Sequence, residues 1–318
     1  MLKDFFSVVI LVVGLVLAGA VGAAPLCTPQ TPVGGKCEIV LGDVHLTQTS
    51  VGKVAVACKR LSVDRQVQGI LNGATPTSDN VAAALNEYLA ANDNRILPLV
   101  IGPNKKFYTT DHHHLGTAVW TYKENYNDYD RSKVRFQAQI TVDWSNTADI
   151  TMDNFWKKMA AANQAWPYDN NGNKLTGHYT SEDGPYPQSF GQTKNDKYRS
   201  LSRWVRESCL YIKEGKEQCK KIAKKLQVTP NKGDFEEFVW ANYLRQNLPW
   251  PKGKKNEIDK LKEIYKNTAE KMASKDAKAF LMNLQYDPKK YGYNKKGMHL
   301  KLVFDGGCEE PTHKIIDK

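Results

Sequence analysis

The sequence predicts an α+β fold in which a small mixed sheet is followed by a helical C-terminal region, and three observations lead there. Short β-type runs, among them Ile96-Leu97-Pro98-Leu99-Val100-Ile101 and Val134 to Val142, fall in the first half of the chain. Helical periodicity dominates from about Tyr198 onward. No internal repeat or low-complexity tract disturbs this order of strands first and helices after, the pattern of an α+β core.

The elements follow in chain order. Lys3, an apolar run from Phe5 to Leu17 and small residues through Ala24 have the layout of a secretory signal peptide, so cleavage near Ala24 and a secreted or periplasmic location are expected. Residues 1–24 are therefore set apart, and residues 25–42 form an N-terminal segment that carries Cys27 and Cys37. The six cysteines (Cys27, Cys37, Cys58, Cys209, Cys219 and Cys308) are even in number, which in an exported chain favours disulfides over a zinc site. Cys27–Cys37, Cys209–Cys219 and Cys58–Cys308 are one pairing among those the sequence allows.

Residues 43–150 read as the core. Glu38 to Val56 alternates β-type runs with turns, and Leu61 to Gln68 and Asn80 to Asn92 read as helices. Ile96 to Ile101 and Lys106 to Thr110 make a hairpin about Gly102-Pro103-Asn104-Lys105. Asp111 is placed to cap a helix from His112 to Tyr122, and Val134 to Val142 is the cleanest alternating strand. Residues 151–250 read as a loop and helical subdomain that completes the site. A helix from Thr151 or Asp153 to Ala162 leads into an irregular stretch from Trp166 to Asn195, followed by helices at Tyr198 to Lys213, Glu217 to Leu226 and Phe235 to Asn247. Residues 251–318 read as a basic helical extension, with Asn256 capping a helix to Ala273 and a further helix at Ala277 to Leu284.

The net charge is +11, concentrated in lysines between Lys213 and Lys301. Such a field favours anionic partners, although a solvated lysine face that maintains solubility reads equally well. After the signal segment no run is apolar enough to span a membrane. Nucleophile-elbow, Walker and zincin motifs are absent, which weighs against those enzyme classes.

Two constellations carry chemistry. Asp111-His112-His113-His114 stands at a strand-to-helix junction, where unpaired N–H groups and the positive helix end attract anions. Imidazoles there can act as acid or base, donate to phosphate oxygens, or ligate a divalent metal, with Asp111, His113 and His114 the candidate ligands. Successive helical residues point about 100° apart, so the three rings cannot all face one ligand. The competing reading is a capping aspartate followed by surface histidines. Arg199, Arg203 and Arg206, spaced i, i+4, i+7, share one helical stripe and suggest phosphate contact, or else salt bridges to Asp196, Glu236 and Glu237. In the aromatic helix from Phe235 to Arg245, which reads as buried, Glu237 and Arg245 are the polar positions able to face a site.

Several segments recur in order from residue 43 to 247: Leu46-Thr47-Gln48 with Val51-Gly52 and Lys59, Pro98 to Pro103, Tyr108 to Leu115, and Phe155-Trp156. Trp166-Pro167-Tyr168-Asp169 with Gly172, Tyr198 to Arg206, and Phe235 to Arg245 complete the set. Together they resemble the ParB-like nuclease branch of the ParB/sulfiredoxin superfamily. The resemblance implies a small mixed-sheet core and a phosphate- or nucleotide-binding turn after the strand before Asp111, and it adds Gln48, Lys59 and Asp169 to the candidate binding residues. The turn lacks the cysteine and arginine of sulfiredoxins, and no helix-turn-helix follows it, so sulfinate reduction and chromosome partition are not expected. The expected activity is hydrolysis of a phosphodiester. Asp111, His112, His113 and His114 are catalytic candidates, Arg199, Arg203 and Lys59 stabilise the phosphate, and nucleic acid or nucleotide is the partner. The alternatives are a non-catalytic nucleotide or nucleic-acid binder, a secreted effector that transfers phosphoryl or nucleotidyl groups, and a disulfide-stapled structural protein.

Overall fold

The computed structural model describes residues 24–122, 129–147, 150–177, 179–207, 235–265, 267–268, 300–303 and 312–315. The segment read as a signal peptide, except for Ala24, the helices expected at Glu217 to Leu226 and Ala277 to Leu284, and Cys209, Cys219 and Cys308 lie outside these residues.

Strands β1 (Lys36–Val40), β2 (Val44–His45), β4 (Leu97–Ile101), β5 (Phe107–Thr109) and β6 (Arg135–Asp143) form a mixed sheet in the order β1-β6-β4-β5-β2. The hairpin β4–β5 is antiparallel, β6 runs parallel to β4, and β2 runs parallel to β5. Strand β6 buries Phe136, Ala138 and Ile140 on one face, as its alternation demands. Alternation along β4 puts Leu97, Leu99 and Ile101 on one face and Val100 on the opposite face, where it joins Tyr108, Phe155, Trp156 and Met159.

The main core lies between the sheet and helices α1 (Lys53–Leu71), α2 (Ser78–Ala90) and α3 (His113–Trp120). Helix α2 opens with a capping box: Thr77 Oγ1 accepts from Asn80 N–H at 3.3 Å, and Asn80 Oδ1 from Thr77 N–H at 2.6 Å. Helix α1 starts eight residues before the Leu61 expected from periodicity, because its first turn has no single apolar face. Val54 packs toward the C-terminal helices, Val56 meets Ala118 of α3, and Val63 enters the main core. Burial on several sides erases the 3.6-residue pattern that sequence reading depends on.

Helix α4 (Met152–Ala161) is capped by Thr151 and covers the far face of the sheet. A parallel pair, β3 (Ser50–Val51) with β7 (Lys194–Asn195), then places helix α5 (Lys197–Glu207) beside the start of α1. Helices α6 (Glu236–Asn247) and α7 (Glu257–Tyr265) share a second core with α5, Val54 and Trp166. The extension read as helical carries α7 and then a separate antiparallel pair, β8 (Leu300–Val303) and β9 (Thr312–Ile315), whose runs of four residues are too brief for helical periodicity to register. Among the described residues no helix is long and apolar enough to cross a membrane.

Cys27 and Cys37 form a disulfide. It fastens an N-terminal arm along edge strand β1, with Cys27 N–H donating to the Glu38 carbonyl and Glu38 N–H to that of Pro25, both at 2.8 Å, so the open edge is covered. Cys58 is also disulfide-bonded, and its partner lies outside the described residues.

Phe136 is fully buried at the centre of β6. Phe136→Ala is expected to cost about 3–5 kcal/mol of unfolding free energy, measured by denaturant titration, whereas a loss under 1 kcal/mol would contradict this placement of the core.

Candidate anion-binding site

The site is built around the segment from Thr47 to Gly52, which leads from β2 through β3 to the N-cap of α1 and is buried at every position. Its backbone bonds reach three other parts of the chain. Thr47 N–H donates to His113 Nε2 at 3.3 Å, and Thr47 Oγ1 donates to the Thr109 carbonyl at 2.7 Å. The Thr47 carbonyl accepts from Trp166 N–H at 2.9 Å, the Thr49 carbonyl from Lys194 N–H at 3.0 Å, and the Val51 carbonyl from Asp196 N–H at 2.9 Å. Gly52 N–H donates to His114 Nε2 at 3.1 Å. A Cβ at Gly52 would lie 2.6 Å from Ser200 Oγ and 2.7 Å from Ser200 N, so glycine alone lets the strap pass the start of α5.

Helix α3 begins at His113, one residue later than expected, and Asp111 is not its cap. His112 takes the cap position in the left-handed region (φ 63°) with no side-chain capping bond, while Asp111 accepts from the N–H of His112 next to it at 2.6 Å. The left-handed residue turns the chain so that His113 and His114 point into the protein, both toward the strap. The ~100° step between successive helical residues is accommodated because the two rings meet its opposite ends, Thr47 and Gly52.

An Nε2 atom that accepts a backbone N–H carries no proton, so both rings are neutral tautomers with the proton on Nδ1. Electrostatics agree. Burial lowers His113 from 6.5 to about 3, opposed by the Asp111 charge and reinforced by Arg199 and His112. Burial also holds His114 well below the ordinary imidazole range, helped by the positive charges of Arg199, Arg203 and Lys59. His112 is lowered chiefly by burial, against Asp111 and with Lys59. The structure thus brings together Asp111, the three histidines, Lys59, Arg199 and Arg203.

Gln48 lies in the strap beside Thr47, and among the described residues Gln48 Nε2, Ser50 Oγ and Ser200 Oγ are buried without a hydrogen-bond partner. The arginine stripe divides. Arg199 is 4% exposed, donates to Glu237 at 3.3 Å, and lies over the Phe238 ring at 3.2 Å. Arg206 binds the same Glu237 and also Glu207 at 2.8 Å, while Arg203 is half-buried. Glu237 therefore neutralises two members of the stripe, which is the salt-bridge alternative that the sequence left open.

Arg245 and Asp169 sit apart from the histidines. Arg245 donates to Asp196 Oδ2 at 2.6 Å, to the Asn170 carbonyl at 3.4 Å and to Asn242 Oδ1. Asp196 Oδ1 in turn caps α5 by accepting from Tyr198 and Arg199 N–H at 3.0 and 3.3 Å. Asp169 Oδ1 accepts from Asn171 and Asn173 N–H, each at 2.8 Å. Although burial opposes it, these bonds and the Asn173 amide hold Asp169 below the usual carboxylate range. Gly172 (φ 81°) completes the turn because a Cβ there would lie 2.5 Å from Arg245 Nη1. Sequence reading names Thr47, Gly52, Asp196 and Ser200 but makes none of them a site candidate, because their roles arise from backbone bonds and close approach; the Val51-Gly52 pair before a helix was the available signal.

The donor set does not suit a divalent metal. The Nε2 atoms of His113 and His114 are engaged by backbone donors and cations surround His114. Among the described residues no group of three or more His, Cys, Asp or Glu side chains could hold one.

A mixed sheet leading into a histidine-bearing helix start defines an α+β protein whose candidate site lies at that helix start. The chain belongs to the family described as "Putative ParB-like nuclease", whose model matches residues 37–246. The fold is also that of protein Atu1540 from Agrobacterium tumefaciens, a crystal structure similar at a TM-score of 0.50 and 20% identity, over 77% of this chain and 95% of that one. No curated protein matches the sequence.

The histidines make stability pH-dependent with a defined sign. A folded value below the unfolded one means that the unfolded state binds the proton first as pH falls. The contribution of His113 is complete above about 6.5 and is lost progressively as pH falls toward about 3. Urea titrations across this window are expected to show a slope of up to about 1.4 kcal/mol per pH unit for one such group, flattened in His113→Gln. Identical slopes in the two proteins would remove His113 as its source. Separately, Arg245→Ala is expected to cost about 3 kcal/mol by leaving Asp196 buried and unpaired.

Proposed function

We propose that this chain is an exported ParB-like phosphodiesterase or nuclease whose anionic substrate docks at the start of α3. The observation that carries this reading is the gathering of Lys59, Arg199 and Arg203 about His114, beside a helix N-terminus. A phosphate at this place would accept from the Nδ1–H groups of neutral imidazoles and from the free N–H groups of the first turn. Lys59 and Arg203 would supply charge that strengthens as negative charge builds in the transition state. Nucleic acid is the partner this reading implies, consistent with the family to which the chain belongs. Hydrolysis suits an exported protein because it consumes only water.

A second reading, a nucleotide or nucleic-acid binder without turnover, is favoured by one observation. Because His113 and His114 spend their Nε2 atoms on backbone N–H groups, neither ring offers a base there.

The test uses purified protein with single-stranded DNA, RNA and bis(p-nitrophenyl) phosphate. Lys59→Ala and Arg203→Ala are each expected to lower kcat/KM at least about tenfold, the loss of one charge-assisted hydrogen bond, with unchanged circular dichroism. Binding of oligonucleotide without cleavage by the wild-type protein would select the second reading, and loss of neither binding nor turnover in the double variant would refute both.

A further inference from the structure

A buried polar atom without a hydrogen-bond partner costs folding free energy, so several of them in one place call for an explanation. Among the described residues Gln48 Nε2, Ser50 Oγ and Ser200 Oγ are such atoms, in residues 4%, 1% and 1% exposed. Gln48 and Ser50 belong to the strap and Ser200 to the first turn of α5. Gln164 Oε1 is the one other uncharged atom of this kind among the described residues.

The fold brings these groups to one junction. Ser200 Oγ lies against Gly52, where a Cβ would come within 2.6 Å of it. Val51 packs on Val56 and Ala118, so its neighbours Ser50 and Gly52 turn to the other side of β3, the side of Ser200. The parallel pairing of β3 with β7 starts α1 and α5 from adjacent ends, and the two helices pack together. Gly52 N–H also donates to His114 Nε2 at 3.1 Å, so the junction backs directly onto the anion site. Arg203, one of the cations that act on His114, stands one turn beyond Ser200 on the same face of α5.

The chemistry at the junction suits an oxyanion. Two hydroxyls and a carboxamide nitrogen are donors to phosphate oxygens, and Arg203 adds a cation. The carboxylates nearby are engaged: Asp196 accepts from Tyr198 and Arg199 N–H and from Arg245, and Glu237 accepts from Arg199 and Arg206. Residues this enclosed admit only a small group, which enters by displacing the direct contact between Ser200 and the strap. A phosphate at the end of a strand leaves one substituent outside, whereas a phosphate within a strand must leave two.

We propose that the junction between the strap and α5 binds a terminal phosphate, that of a mononucleotide or of a nucleic-acid strand end, through Gln48, Ser50 and Ser200; this rests on the anion-binding reading above. The serine hydroxyls then lower the stability of the protein by itself, and a phosphate that accepts from them offsets the cost.

The experiment titrates the full chain calorimetrically with inorganic phosphate and with a short oligothymidylate carrying a 5′-phosphate, a 3′-phosphate or neither, and follows thermal melting. The wild-type protein is expected to bind at least one phosphorylated end about tenfold more tightly than the unphosphorylated strand, the gain of a charge-assisted hydrogen bond. Ser50→Ala and Ser200→Ala each lose that preference and weaken inorganic phosphate binding about tenfold, yet melt at or above the wild-type temperature because alanine removes an unsatisfied group. Equal wild-type affinity for phosphorylated and unphosphorylated strands overturns the assignment and leaves the anion site standing. So does a lowered melting temperature with phosphate binding intact in both variants, the outcome for hydroxyls that serve the fold through buried water. Wild-type protein that binds neither phosphate nor any strand overturns this assignment together with the anion-binding reading.

Discussion

The segment from Thr47 to Gly52 is the constraint on which the candidate site depends. It is a buried length of backbone with polar groups that must be satisfied without water, and its two ends are satisfied by two imidazoles of one helix turn. The same segment receives hydrogen bonds from Trp166, Lys194 and Asp196, so the irregular region, the β3–β7 pair and the start of α5 are all referred to it. Moving the strap would shift α3, α5 and the aromatic second core together.

Because the strap uses the histidines as acceptors, it fixes their chemistry. Each ring must remain neutral to keep its Nε2 bond, and the cations around His114 reinforce that state. The rings themselves carry no net charge, and the positive charges near His114 are those of Lys59, Arg199 and Arg203. Glu237 balances this field from behind by bridging Arg199 and Arg206, which lets two arginines share one helix stripe without mutual repulsion. Asp196 performs the corresponding work at the start of α5, capping the helix with one oxygen and holding Arg245 with the other. Burying several charges in one region is tolerable only because nearly every one has a partner of opposite sign.

How far the sequence reveals this varies with the kind of interaction. The β4–β5 hairpin, strand β6, the Thr151 cap and the aromatic character of α6 follow from local pattern, since each is set by neighbours within a few residues. The early start of α1 does not, because Val54, Val56 and Val63 serve three different clusters and leave no amphipathic stripe. The boundary of α3 shifted for a related reason: Asp111 has the right side chain for a cap, but the left-handed backbone of His112 takes the position. His45 and Asp183 lie 138 residues apart, and no spacing rule connects them.

By itself, then, the sequence determined the α+β class, the family-like order of short motifs, the basic character of the chain and the histidine turn as the place to look. Residue type and local periodicity carry that information. Only the tertiary structure decided which nitrogen of each histidine is engaged, that Glu237 joins two arginines, that Arg245 holds the frame at Asp196, and that His45 faces Asp183. These are contacts between distant segments, and they exist only once the strap has brought their backbones within hydrogen-bonding distance.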